Sequence, residues 1–175
     1  MPNRVIVVNG MARSGKNTFA KELNKLCRND GIRLIEWSTI TAEKAALFTC
    51  LNRRYNASSE VDRSFLSDLK SLLNKYYNFT LVNFEQLLSS KENVTFLVYS
   101  REPEEIDNFK KLCYNKGIEF ITALIRNNRV KRIESNSSDK NCENYCYDYI
   151  IKNNSSLEEF RKNVKDFYNK ALAKE

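Results

Sequence analysis

A run of β-branched residues, RVIVVN from Arg4 to Asn9, leads straight into GMARSGKNT from Gly10 to Thr18. A continuous apolar run of this length reads as a strand buried on both faces, the pattern of a parallel sheet covered by helices. After the loop, Phe19, Leu23, Leu26 and Cys27 recur at helical spacing. The chain therefore goes strand, glycine loop, helix. The loop has a glycine, four residues, a second glycine and a lysine, and in that context the spacing is that of a phosphate-binding loop. Gly10 and Gly15 let the backbone curl. The amides of Ala12, Arg13 and Ser14 and of the helix start at Lys16, Asn17 and Thr18 then point at phosphate oxygens. Lys16 reaches the β- and γ-phosphates, and Thr18 the α-phosphate region. The plainer alternative is a glycine turn before an ordinary amphipathic helix. At Asn17 a Ser or Thr hydroxyl usually holds Mg²⁺. An amide oxygen can also coordinate a hard cation, directly or through water, but without charge. The expected ligands are ATP and Mg²⁺, with Asn17 as the candidate metal ligand.

The other two glycines, Gly31 and Gly117, each follow a helical pattern and precede an apolar run, so each reads as the stop after a helix. Strands are expected at Ile32–Trp37, Val94–Ser100, Glu119–Ile125 and Tyr147–Ile151. The span from about Thr41 to Ser90 reads as helical throughout, with Phe65, Leu69, Leu72, Leu73 and Tyr76 on one apolar face. Pro103 and the acids after it open a helix. Ser156 and Glu159, at capping-box spacing, open the last one, buried through Leu157, Phe160, Val164, Phe167 and Leu172. The 175 residues suit one domain, and five strands mostly separated by helices close as a parallel sheet covered on both sides. The long polar stretch from Ile125 to Asn144 is expected to be a lid or a disordered segment.

Bulk properties exclude several classes. No apolar run is long enough to span a bilayer, and MPNRVIVVNG does not resemble a signal peptide, so a cytoplasmic location is expected. Five cysteines without framework spacing read as reduced, mostly buried thiols. Cys142 and Cys146 have no histidine anywhere in the chain to complete a zinc site. The Asn-x-Ser/Thr sequons at Asn56 and Asn93 are expected by chance in a chain this rich in Asn and Ser. The net charge of +7 points to an anionic ligand, either a small phosphate ester or nucleic acid, and does not choose between them.

GMARSGKNT resembles the phosphate-loop variant of phage deoxynucleoside monophosphate kinases and their relatives, in which Asp usually stands where Asn17 stands. STITAEKAA, DRSFLSDLK, SREPEEI and ENYCYDYIIKNNSSLEEF are similar to blocks of a group of bacterial and phage P-loop proteins. The last block also resembles the close of guanylate-kinase-type domains. This resemblance spans nearly the whole chain. It implies a three-layer α/β P-loop NTPase fold with strand order 2-3-1-4-5 and helices on both faces. It also implies an acceptor-binding region over about residues 38–92 and a lid over about 125–146.

Carried over residue by residue, the resemblance makes Lys16 the motif lysine and places Ser38 and Thr39 at the start of the acceptor region. Lys44 and Arg63 become candidate holders of the acceptor phosphate, each weighed against a solvated or surface-paired charge. At most one of Arg53 and Arg54 need be functional. Arg101 lies just past strand three, at the sheet edge where α/β ligands bind, and is expected to touch both phosphate groups. Its bland alternative is an ion pair with Glu104 or Glu105. Strand three ends without the common carboxylate; Glu102 is the nearest acid and Ser100 could hold a water. Among Arg126, Arg129, Lys131 and Arg132, Arg126 is the candidate for charge stabilisation during transfer. Trp37, Tyr55 and Tyr99 could stack on a base, although most aromatics in a buried pattern are core.

The expected activity is ATP-dependent phosphoryl transfer to a small phosphorylated acceptor, a (deoxy)nucleoside monophosphate. The rivals are a kinase of another phosphate ester or polynucleotide end, and a nucleotide-binding regulatory module with little catalysis. Nucleic acid is the less favoured partner, and the sequence says nothing of oligomeric state.

Overall fold

The computed structural model describes residues 3–56, 58–130 and 143–173. Its element order is β1 (Arg4–Asn9), α1 (Lys16–Asn29), β2 (Arg33–Ser38), α2 (Thr41–Leu51), α3 (Glu60–Tyr77), α4 (Phe79–Ser89), β3 (Val94–Tyr99), α5 (Pro103–Asn115), β4 (Glu119–Arg126), β5 (Tyr149–Lys152) and α6 (Leu157–Ala171). The five strands form one parallel sheet in the order β2-β3-β1-β4-β5, as the resemblance implied. Strand β1 is central: Val8 is level with Tyr99 on β3 and with Ala123 on β4.

The apolar run of β1 serves two layers because successive side chains point to opposite faces. Ile6 and Val8 pack with Phe19, Leu23, Phe160, Val164 and Phe167 of α1 and α6. Val5 and Val7 pack with Phe84, Leu88, Ile106 and Phe109 of α4 and α5. Both clusters are closed to solvent, which makes the centre of the sheet the best-packed part of the chain.

The strand expectations hold to within two residues at each end. Gly31 and Gly117 have φ of 69° and 65°, the backbone a helix stop needs. The uninterrupted helix expected from Thr41 to Ser90 is corrected: the segment is three helices. The chain leaves α2 at Asn52 (φ 47°) and passes from α3 to α4 at Asn78 (φ 48°). Asn is among the few residues that adopt this left-handed conformation at modest cost. The expected apolar face of α3 exists but packs only in part. Leu69 and Leu73 are half-buried, whereas Phe65, Leu72 and Tyr76 are open to solvent; Leu66, outside that face, is the buried leucine of α3.

Candidate functional site

The loop after β1 is built by close approach. Gly10 has φ 146°, and a Cβ there would lie 2.6 Å from the Ile125 carbonyl oxygen and 2.7 Å from Ser14 Oγ. Gly15 has φ 108°, and a Cβ there would run into the Asn153 amide. Both positions therefore need glycine, for the backbone angle and for the space. Arg13 also sits at positive φ (62°), uncommon outside glycine and Asn. Lys16 Nζ donates to Gly10 O and, at 2.8 Å, to Met11 O, folding its ammonium over the loop. Ser14 is buried and its Oγ has no hydrogen-bond partner among the described residues.

Helix α1 starts at this loop without a side-chain cap and with no acid in its first turn. Helices α3 and α6 are different: Ser59 and Ser156 cap them, and acids fill their first turns. An α-helix leaves its first amides unbonded, and its N-terminus carries partial positive charge. At α1 neither a side-chain cap nor a first-turn acid answers that charge, and Lys16 adds to it. Asn17 is exposed in the first turn and Thr18 is half-buried beside it.

Two asparagines fasten this loop to the neighbouring strands. Asn9 is fully buried; its Oδ1 accepts from the Gly10 amide at 2.7 Å. Its Nδ2 donates to the Arg101 carbonyl at 3.2 Å and to the Tyr147 hydroxyl at 2.7 Å. On the other side, Asn153 Nδ2 donates to Ser14 O at 2.9 Å, while its own amide donates to Arg126 O at 2.8 Å. Lys16, Arg101 and Arg126 are thus gathered around one loop through the backbone. Arg126 Nε is buried and has no hydrogen-bond partner among the described residues. A buried guanidinium nitrogen left open in this way suits an anion. Neither Asn9 nor Asn153 stood out in the sequence, where each reads only as the polar end of a strand.

The end of β3 carries a carboxylate that sequence reasoning also missed. Ser100 Oγ donates to Glu105 Oε2 across the start of α5. The other Glu105 oxygen is 2.7 Å from Lys70 Nζ, and Lys70 reaches Thr39 Oγ1 at 3.2 Å. Glu105, not Glu102, is the acid held over β3. The carboxylate engages Lys70 and Ser100, the Ser100 hydroxyl donating to it. Nearby Glu43 is 1 % exposed, and neither of its oxygens has a hydrogen-bond partner among the described residues. Burial pushes its carboxyl above the ordinary 4.5; Lys70 opposes that shift and Glu105 adds to it.

The remaining candidates lie on the α2–α3 side. Ser38 ends β2 level with Tyr99, and its carbonyl accepts from Thr41 Oγ1 at 2.7 Å. Lys44 Nζ stands 5.1 Å from the centre of the Tyr55 ring, a cation–π pairing. Arg63 is exposed in the first turn of α3. Arg53 is 2.9 Å from buried Asp62, which also accepts from the Asn56 amide at 2.9 Å. This gives Arg53 a structural tie; Arg54 is exposed. Trp37 packs on Phe84 and Phe109 at ring distances of 5.7 and 6.2 Å. Tyr99 donates to Glu36 at 2.5 Å, so both aromatics serve the sheet and its packing. Arg129 donates to Ser155 O at 3.2 Å. Lys131, Arg132 and Cys142, with most of the expected lid, lie outside the described residues. Cys27 and Cys113 are buried, which pushes their thiols up to about 11 and about 12, out of the reactive range.

The oxygen donors suit Mg²⁺ in kind: the exposed Asn17 amide on one side of the loop and Glu105 at the end of β3. Among the described residues no three His, Cys, Asp or Glu side chains cluster as a metal site. No helix among the described residues is long and apolar enough to cross a membrane.

No family model matches the sequence, and no curated protein matches it. Solved structures do resemble it along their whole length. The protein APE1195 shares 15 % identity at a TM-score of 0.60, covering 98 % of this chain and 97 % of its own. The APS kinase of Mycobacterium tuberculosis, as a Cys-to-Ala mutant, gives 15 % and 0.54, covering 96 % and 98 %. The same enzyme in complex with AMPPNP and APS gives 14 % and 0.54, over the same shares. At such identities the likeness speaks for the fold. Together with the sheet order and the loop, it gives this chain the P-loop NTPase fold.

Proposed function

We propose that the chain transfers the γ-phosphoryl group of ATP to a small phosphorylated acceptor, a (deoxy)nucleoside monophosphate. One observation carries the reading: Asn9 and Asn153 hold Arg101 and Arg126 beside the Lys16 loop. Lys16, the loop amides and the uncapped start of α1 would bind the donor phosphates. Arg101 lies between that loop and the acceptor side, and Arg126 has an open Nε for the charge on the group in transit. Ser38, Lys44 and Arg63 are the acceptor-side groups. An acceptor phosphate is already ionised near neutral pH, so no side-chain base is required, and the chain needs no histidine. Mg²⁺ bound with the nucleotide, with Asn17 in reach, would neutralise charge between the phosphates. Support also comes from the structural likeness to an APS kinase, whose complex holds AMPPNP and APS.

The test is a coupled ADP-release assay with Mg·ATP and each common ribo- and deoxynucleoside monophosphate, run beside Lys16→Ala. Turnover on one or two acceptors is expected, with a loss of about 10³-fold or more in the mutant. Tight ATP binding with no acceptor phosphorylated would overturn the reading. It would favour a nucleotide-binding regulatory module instead, to which the engagement of Glu105 with Lys70 already lends some weight.

A further inference from the structure

Helix α3 carries more apolar surface than the fold covers. Val61, Phe65, Leu72 and Tyr76 are 72, 37, 55 and 65 % exposed. At 100° per residue these four fall within a strip about 60° wide, running roughly 22 Å along the helix. A single exposed apolar residue is ordinary, but a continuous strip marks an interaction surface.

The strip is symmetric about its own midpoint. The spacings from Val61 to Phe65, to Leu72 and to Tyr76 are four, seven and four residues. Turned end for end, a second α3 sets Val61 against Tyr76 and Phe65 against Leu72, each pair twice. Each pair places a larger side chain against a smaller one, which lets two helices interdigitate. Antiparallel pairing also opposes the two helix dipoles. Phe48 and Leu51 of the adjoining α2 are 51 and 56 % exposed. Taking about 200 Å² per aromatic side chain, the open apolar surface on α2 and α3 is on the order of 600 Å² per copy. Two copies would bury about 1,200 Å², the lower limit for a stable interface.

We infer that the exposed face of α3 pairs with the same face of a second copy of this chain, antiparallel and about a two-fold axis near Asp68 and Leu69. The inference does not rest on the proposed activity. It predicts a concentration-dependent dimer with an isologous interface. One detail works against the pairing and sharpens the test: Asp68 lies beside the axis, so the two copies bring two carboxylates together there.

The experiment is sedimentation equilibrium of the full chain from 1 to 300 µM at about 0.15 M salt. Circular dichroism and thermal melts confirm that each variant is folded. A monomer–dimer equilibrium is expected. Phe65→Glu and Leu72→Glu should each weaken it at least tenfold, and Asp68→Ser should tighten it several-fold. In a Cys50→Ser, Cys142→Ser, Cys146→Ser background, Asp68→Cys should form an intermolecular disulfide under mild oxidation and Val61→Cys should not. A monomer at every concentration would overturn the inference. So would a dimer indifferent to Phe65→Glu and Leu72→Glu, or cross-linking at Val61 rather than Asp68, since the face would then be absent from the interface or paired in parallel.

Discussion

The two sides of the sheet's C-terminal edge are built differently. On the β1–β4–β5 side, the loop is tied to the backbone of Arg101 and Arg126 by buried Asn9, half-buried Asn153 and close backbone approach. Ties of this kind fix the backbone around the loop, as a preorganised site requires. On the β2–β3 side the candidates ride on α2 and α3. The buried polar groups there are only partly satisfied: Glu105 is shared by Ser100 and Lys70, and Glu43 is left without a hydrogen bond among the described residues. The contrast leaves one side closely tied and the other with buried polar groups still open among the described residues. It also implies that substitutions on the two sides should have opposite consequences.

The largest expected effect is at Gly10. Gly10→Ala puts a methyl group against the Ile125 carbonyl at a φ that L-residues avoid. It should cost about 2–4 kcal/mol, read as a melting temperature lower by roughly 5–15 °C, and nucleotide binding should fall with it. A variant as stable as the parent would show that the loop is not held as tightly as the comparison requires.

Glu43→Gln should do the reverse. It removes a carboxylate whose burial is only partly compensated, so at pH 7 the variant should be more stable by on the order of 1–2 kcal/mol. The sign follows from the raised carboxyl. The unfolded chain loses this proton near 4.5 and the folded chain only at higher pH, so folding is penalised increasingly as pH rises through that window. The advantage of Glu43→Gln should therefore vanish below about pH 4.5 and grow above it, as melts from pH 4 to 8 would show. An advantage that does not change with pH would mean that Glu43 is not the cause.

A smaller effect is expected at Asn153→Ala, which removes the bond to Ser14 O. The cost should be about 1 kcal/mol in stability, accompanied by weaker binding of a nonhydrolysable ATP analogue in calorimetry. Loss of stability with unchanged nucleotide affinity would limit Asn153 to holding the fold.

The donor half was largely legible because its signals are local. A β-branched run, two glycines at fixed spacing and a helical repeat all lie within residues 4–27, and the strand bounds there match at both ends. What was missed joins distant parts of the chain. Asn153 and Ser14 are 139 residues apart, and Asn9 and Tyr147 are 138 apart; no periodicity reveals such pairs. The acceptor half misled for a different reason. Its apolar pattern runs on without glycine or proline from Thr41 to Ser90, so the breaks were marked only by subtler signals: Asn52 and Asn78, and Ser59 ahead of Glu60 and Asp62 at the start of α3. Sequence reasoning named Glu102 as the nearest acid to the end of β3; the first turn of α5 also brings the more distant Glu105 carboxylate back to Ser100, a contact that nearness in sequence does not reveal.

The single left-handed residue between α3 and α4 also has a mechanical meaning. Helix α4 is anchored in the core by Phe84 and Leu88, and Asn78 joins it to α3 like a pin joint. The Lys70–Glu105 pair works as a latch partway along the arm. At 1.5 Å per residue the 18-residue helix is about 27 Å long, so a swing of about 5° at Asn78 carries its first turn through about 2 Å. Arg63 rides at that far end. With the latch released, a small rotation at one asparagine becomes a displacement large enough to make or break a hydrogen bond at the tip of the arm.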